Sequence, residues 1–285
     1  MNTLTPQESL FDVVRGAALP LPPELAHLYG RLAFPLHPGR AHVIGNFVTT
    51  LDGVVALSEK GHTGGGDISG FNQHDKMVMG LLRAVADTVI VGAGTLRSVP
   101  RHLWTAQYIY PPLAGVYQQL RTSIVKPTPP LNVIVTSHGA IDLDLPLFQS
   151  GEVPVLLVTN TQGEERIRAQ NLQPFVQLSP IQSDGPLSAQ AILQEVNHIR
   201  QCEVILVEGG PQLMGDFFAE QVLDELFLTL APQIAGRDEK FDRPGLVMGK
   251  RFAPKQPLWG TLVSVKRAES HLFLRYAFET KEITI

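Results

Sequence analysis

The residues best placed to do chemistry in this chain sit at the ends of short apolar runs. Glu208-Gly209-Gly210-Pro211 follows Val204-Ile205-Leu206-Val207, and Gly92-Ala93-Gly94-Thr95 follows Thr88-Val89-Ile90-Val91. Each run reads as a buried strand. Pro211 suits the first position of a helix whose apolar residues are Leu213, Met214, Phe217 and Phe218. A strand, a glycine turn and a helix N-terminus together present free backbone N–H groups and partial positive charge to an anion. In open α/β sheets, ligands bind beyond the carboxyl ends of the strands. Gly92, Gly94, Gly209 and Gly210 are therefore expected to flank one diphosphate, with Thr95 adding a hydroxyl. Thr136-Ser137 and Thr159-Asn160 end two further apolar runs in the same way.

A second constellation lies on the first strand, read over residues 42–57. Asn46, Thr50 and Asp52 recur at even spacing and so share one face of an extended strand. Such a row is either a site or the solvent-facing side of an edge strand. Asp52-Gly53 breaks the strand as a bulge or sharp bend. Arg97 and Arg101 either hold a substrate phosphate or are ordinary surface arginines. The glycine-rich stretch 61–70 is open between a lid and a plain loop.

Composition narrows the class. The chain has 285 residues, 44% hydrophobic and 18% charged, enough for one large core or two small ones. A net charge of −4 without a block of like charges argues against a nucleic-acid surface or a polybasic membrane contact. The apolar runs are too short to span a bilayer, and the first ten residues lack a secretory pattern, so a cytoplasmic protein is expected. One cysteine, Cys202, excludes an intramolecular disulfide and a Cys-paired zinc site. It reads as a small buried residue rather than a reactive thiol. The nine histidines show no ligand spacing, so no metal site is expected.

The elements that must position these residues alternate. Residues 1–40 form a proline-rich N-terminal extension with helical patterns near 6–16 and 22–32. A helix capped by Asn72 runs to Val85. Strands follow at 87–91, 131–137 and 153–159, with 97–130 irregular between the first two. A short helix at 163–170, a short strand at 175–178 and a helix after Ser188 lead to the 204–207 strand. The run 226–231 is a further strand, and 261–265 with 272–278 forms an antiparallel pair. The expected fold is α/β: a mostly parallel sheet with helices on both faces and an antiparallel C-terminal edge, in one domain over 41–285.

The ordered set Thr50-Leu51-Asp52-Gly53, Leu82-Arg83-Ala84, Val91-Gly92-Ala93-Gly94-Thr95, Val207-Glu208-Gly209-Gly210-Pro211 and Asp224-Glu225-Leu226 to Ala231-Pro232 resembles the reductase domain of riboflavin biosynthesis, the RibD C-terminal family. It is also similar to dihydrofolate reductases. The resemblance implies a dihydrofolate reductase-like sheet and an NADPH-dependent reductase. Its substrate would be a ribosylamino-pyrimidine phosphate, reduced at C1′ of the opened sugar. It assigns Gly92, Gly94, Thr95, Thr136, Ser137, Thr159, Gly209, Gly210 and Leu213 to the cofactor. Asn46, Thr50, Arg97 and Arg101 fall to the substrate. Asp52 and Glu208 are the carboxylates placed to polarise it or relay a proton. A homodimer is expected. The chain departs from the family pattern at Asn46, where many members carry Lys. It departs again at Leu96-Arg97-Ser98-Val99-Pro100-Arg101-His102, where Asp-Asp-Pro and Leu-Thr-x-Arg are usual. A paralogue reducing a pterin or another heterocycle, and an NADPH-binding protein without turnover, are the alternatives left open.

Overall fold

The apolar runs pair side by side. The computed structural model describes residues 4–126, 128–183, 185–239 and 243–280. In chain order these form β1 (Glu8–Asp12), β2 (Ala17–Ala18), α1 (Pro23–Tyr29), β3 (Ala33–Phe34), β4 (His42–Thr49), α2 (Gly65–Ser69), α3 (Gln73–Val85) and β5 (Thr88–Gly92). Then come α4 (Ala93–Ser98), α5 (Ala106–Ile109), a 3-10 turn at Pro111–Leu113, α6 (Ala114–Ser123), β6 (Leu131–Thr136), α7 (Pro146–Gln149) and β7 (Val155–Asn160). The chain continues through α8 (Thr161–Arg168), β8 (Val176–Ile181), α9 (Ala189–Ile199), β9 (Val204–Val207), α10 (Pro211–Ala219), β10 (Glu225–Leu230), β11 (Thr261–Ala268) and β12 (His271–Ala277).

One sheet has the order β1-β11-β12-β10-β4-β9-β5-β6-β7-β8. The seven strands from β10 to β8 are parallel, and β12, β11 and β1 add on antiparallel. Alternation along each strand sends side chains to two helical layers. Ile44, Val89, Val91, Leu206 and Phe227 pack with Leu81 and Leu82 of α3 and with Tyr117 of α6. Val43, Ile90, Val133, Ile205 and Val207 pack with Ile192 of α9 and with Met214 and Phe217 of α10. Central strands buried on both faces explain why these runs lack polar alternation. Asn72 caps α3, its side-chain oxygen accepting from the N–H groups of His74 and Asp75 at 2.9 and 3.0 Å.

Three local expectations are corrected. The pattern near 6–16 is not helical: Glu8–Asp12 is an edge strand paired with β11. Its amphipathic spacing is too short to choose a period, and the open β11 edge decides. Residues 97–130 hold α5 and α6 rather than irregular chain. The first strand stops at Thr49, because Thr50 to Gly53 is a tight turn: Gly53 N–H donates to the Thr50 carbonyl at 3.0 Å, with Gly53 at φ 80°.

The extension is tied to the amino ends of β4 and β10 by a buried ionic cluster. Arg40 donates to both oxygens of Asp224 at 2.8 and 2.7 Å, and Arg275 pairs with Glu225 and donates to the Ala33 carbonyl. His37 and His42 stack beside Asp224, a grouping of possible metal ligands that sequence spacing does not reveal. Arg40 already fills the carboxylate there. Cys202 is buried, and burial pushes its thiol up to about 11, so it is inert at neutral pH.

Candidate functional site

The carboxyl ends of β4, β9 and β5 are adjacent, so the residues beyond them meet on one rim. Glu208 is the first residue past β9, and its side chain leaves on the α3 face. There it meets Arg83, a residue from the last turn of α3 that sequence reading placed only in a motif. Nε and Nη2 of Arg83 both lie 2.8 Å from Glu208 Oε2. Asn46, from β4, donates its amide to Glu208 Oε1 at 3.0 Å. Arg83 is 2% exposed and Glu208 8%. One carboxylate oxygen is thus paired with the guanidinium and the other with the amide, so neither is left unpartnered in the buried site. An arginine centred among the apolar residues of a helix stripe was the available signal.

His102 completes this cluster. Burial and the Arg83 charge push its imidazole down to about 2, so the ring is neutral. Arg83 Nη1 donates to His102 Nε2 at 2.8 Å. Arg97 and Arg101 are exposed on the same stretch.

A second buried carboxyl, Asp75, lies in the first turn of α3. Burial raises its pKa and the Glu208 charge adds to the rise, against the Thr229 and Ser69 hydroxyls and the His271 ring. His271 Nε2 donates to the Ser69 carbonyl at 3.0 Å, so that ring closes the group off from β12. Because the folded pKa exceeds the unfolded one, ionised Asp75 opposes folding. That cost is absent below the unfolded pKa and grows as pH rises through it. Asp75→Asn is therefore expected to raise the melting temperature at pH 7, with the gain shrinking toward pH 4. Thermal scans across pH check this; a variant no more stable than the parent at pH 7 contradicts it.

Asp52 and Thr50 are placed differently from expectation. Neither shares a strand face with Asn46, since the turn intervenes. Thr50 is fully buried; its hydroxyl accepts from Val54 N–H at 2.9 Å and donates to Asp52 Oδ1 at 2.5 Å. Asp52 also accepts from the N–H groups of Ala235 and Gly236, at 3.1 and 2.8 Å. The Thr50 hydroxyl first, then the Ala235 N–H, hold its pKa down to about 2. A carboxylate so held is a poor proton donor at neutral pH. Its geometry fastens the 50–54 turn to the 235–236 strand exit. With the folded pKa depressed, this support is present above the unfolded value near 3.8 and lost as pH falls toward 2. Asp52→Asn should thus lower stability at pH 7 and lower it less at pH 2.5. Denaturant midpoints at the two pH values measure it, and equal losses at both would contradict the role.

The glycine turns after β5 and β9 lie side by side. α4 starts directly after Gly92 and α10 after Gly210, and neither helix has a side-chain cap on its first turn. Gly94 lies inside the first turn of α4, not in a loose glycine loop. A Cβ built on Gly92 meets nothing within 4 Å, and one on Gly210 lies 3.5 Å from the Thr95 hydroxyl. Two uncapped helix starts thus lie side by side, with open space beside Gly92 and the Thr95 hydroxyl beside Gly210, a cradle that suits a diphosphate. Leu213 is buried, packed against Gly209, so its side chain belongs to the core and its first-turn N–H to the cradle. Thr136 is nearly buried and Ser137 half-buried at the end of β6. Thr159 is a correction: it is fully buried, and a Cβ on Gly163 would fall 1.9 Å from its hydroxyl oxygen. The start of α8 covers it, and Asn160 caps that helix on the Gly163 N–H. The stretch 61–70 contributes only the five-residue α2, whose Ile68 packs with Val48 and Val54.

Comparison with known proteins identifies the family and the fold. The family model of the RibD C-terminal domain matches residues 41–256. The riboflavin biosynthesis protein RibD of Aquifex aeolicus is 22% identical over 206 residues, 69% of this chain and 48% of that protein. The chain therefore spans about half the length of the curated relative it matches. Among solved structures, a pyrimidine reductase-like protein of Corynebacterium diphtheriae superposes with TM-score 0.64 and 20% identity, covering 85% of this chain and 93% of its own. The Thermotoga maritima diaminohydroxyphosphoribosylaminopyrimidine deaminase/5-amino-6-(5-phosphoribosylamino)uracil reductase gives 0.62 and 20%, covering 84% and 57%. Both share the fold.

Proposed function

The chain belongs to the RibD C-terminal domain family, and from that membership we propose that it is an NADPH-dependent reductase of a ribosylamino-pyrimidine phosphate. The observation that carries the reading is the pair of uncapped helix starts after Gly92 and Gly210, opening beside the buried Glu208. Bound NADPH supplies the hydride; the protein's part is to bind, orient and exclude water. Gly92, Gly94, Thr95, Gly209, Gly210 and the first-turn N–H groups of α10 hold the diphosphate. Thr136 and Ser137 lie toward the adenosine end. Asn46 and Glu208 face the pyrimidine, and Arg97 and Arg101 hold its phosphate. Glu208 acts as a fixed hydrogen-bond acceptor, held by Arg83 on one oxygen and by Asn46 on the other.

Titration with NADPH and NADH by fluorescence tests the cofactor assignment: tighter binding of the phosphorylated form supports it, and no binding of either ends it. A second reading, reduction of a different heterocycle, draws on the altered stretch 96–102. A substrate panel separates the two.

The chain is further proposed to work as a homodimer. The outer edge of β1 is open, and Leu10, Phe11, Val13 and Val14 are 43–60% exposed along it. Such an edge favours pairing with a second chain. Sedimentation should give twice the monomer mass of 31.2 kDa; a monomer at micromolar concentration contradicts the proposal. No helix among the described residues is long and apolar enough to cross a membrane.

A further inference from the structure

Glu208 receives both of its Arg83 hydrogen bonds on one oxygen, from Nε and Nη2. The remaining nitrogen, Nη1, points the other way, to His102 Nε2 at 2.8 Å and to the Thr105 carbonyl at 3.4 Å. A guanidinium is rigid and planar, so fixing Nη1 fixes the plane in which Nε and Nη2 reach the carboxylate. His102 can serve only as the neutral tautomer with its proton on Nδ1, because the Nε2 lone pair is the acceptor.

The imidazole is itself held. The Trp104 and Tyr108 rings meet it edge-on, with centroids 5.1 and 4.7 Å away. The His102 N–H donates to the Val99 carbonyl at 2.9 Å. Trp104 is anchored to the sheet, its N–H donating to Oδ1 of the fully buried Asn132 on β6 at 3.0 Å. A continuous path therefore runs from β6 through residues 102–105 to Arg83 and so to Glu208.

We propose that His102 is a positioning residue for Glu208, acting through Arg83, and that residues 102–105 set the angle of that carboxylate in this chain. The proposal rests on the reductase reading for its effect on turnover. Its effect on Glu208 is independent of that reading.

The test uses the full chain and two variants. His102→Gln retains a side-chain acceptor for Arg83; His102→Leu keeps comparable size without one. His102→Leu is expected to lower kcat roughly 10- to 100-fold, the scale of a small misplacement of a reacting group. The NADPH Kd should stay within about twofold, because the cradle is untouched, and His102→Gln should recover most of kcat. A merely structural role would impair both variants alike, in step with melting temperature. Two readouts need no turnover. Long-range proton–nitrogen correlations should show His102 with bare Nε2 and protonated Nδ1 down to pH 4. The carboxyl carbon resonance of Glu208, assigned by its loss in Glu208→Gln, should move in His102→Leu and stay in place in His102→Gln. A His102 ring that protonates near pH 6, or a Glu208 resonance indifferent to both variants, overturns the proposal. A parent chain that turns over nothing, with these resonances as expected, overturns the reductase reading and leaves the positioning role standing.

Discussion

Arg83→Ala is expected to destabilise the protein by about 3–5 kcal/mol, the scale for removing one partner of a buried ion pair. Arg83 is 2% exposed, and its loss leaves the Glu208 carboxylate buried with only the Asn46 amide for company. The His102 Nε2 acceptor loses this donor as well, and the Thr105 carbonyl keeps only the Ile109 N–H. The pair is not itself a large source of stability, because desolvating two charges offsets most of their attraction. The double variant Arg83→Met/Glu208→Leu should therefore unfold at a higher urea concentration than Arg83→Ala alone, while losing turnover. Urea midpoints at constant slope decide it. A single variant losing under 1 kcal/mol would mean that Glu208 escapes to solvent and is not held as described.

Gly92→Asp is expected to raise the NADPH Kd by about 100-fold or more while leaving the fold intact. Gly92 is the residue before α4, at φ −85° and ψ 155°, a conformation open to any residue. A Cβ there meets nothing within 4 Å. Asp is a preferred N-cap, so the helix itself gains or is unchanged. The same carboxylate would occupy the cradle, and like-charge juxtaposition with a diphosphate costs several kcal/mol. A melting temperature at or above the parent's together with lost cofactor binding is the expected pattern. Unchanged affinity would place the diphosphate elsewhere.

The parts of this site that sequence made legible are those with a local cause. Glycine after a buried strand and proline at a helix start state the backbone geometry by themselves, so both turns lie where residues 92–95 and 208–211 put them. The sheet followed from apolar runs alternating with helical stripes. Long-range pairings were not legible. Thr50 and Asp52 fit a strand-face pattern, but their side chains close a turn, and that of Asp52 accepts from Ala235 and Gly236, some 180 residues away. Thr159 pairs in register with Thr136, yet the helix that follows β7 begins at once and covers it. Arg83 and His102 acquire their roles only when α3 and residues 102–105 are packed against β9. A spacing rule sees neighbours along the chain and cannot see that packing.

The central claim, that this chain reduces a riboflavin precursor with NADPH, is tested most directly by incubating the purified chain with 5-amino-6-(5-phosphoribosylamino)uracil and NADPH. Absorbance at the nicotinamide band and product mass are followed together. The expected result is loss of one NADPH per product, with a two-hydrogen mass gain on the sugar chain. NADPH that binds but is not consumed, with the pyrimidine recovered unchanged, would contradict it.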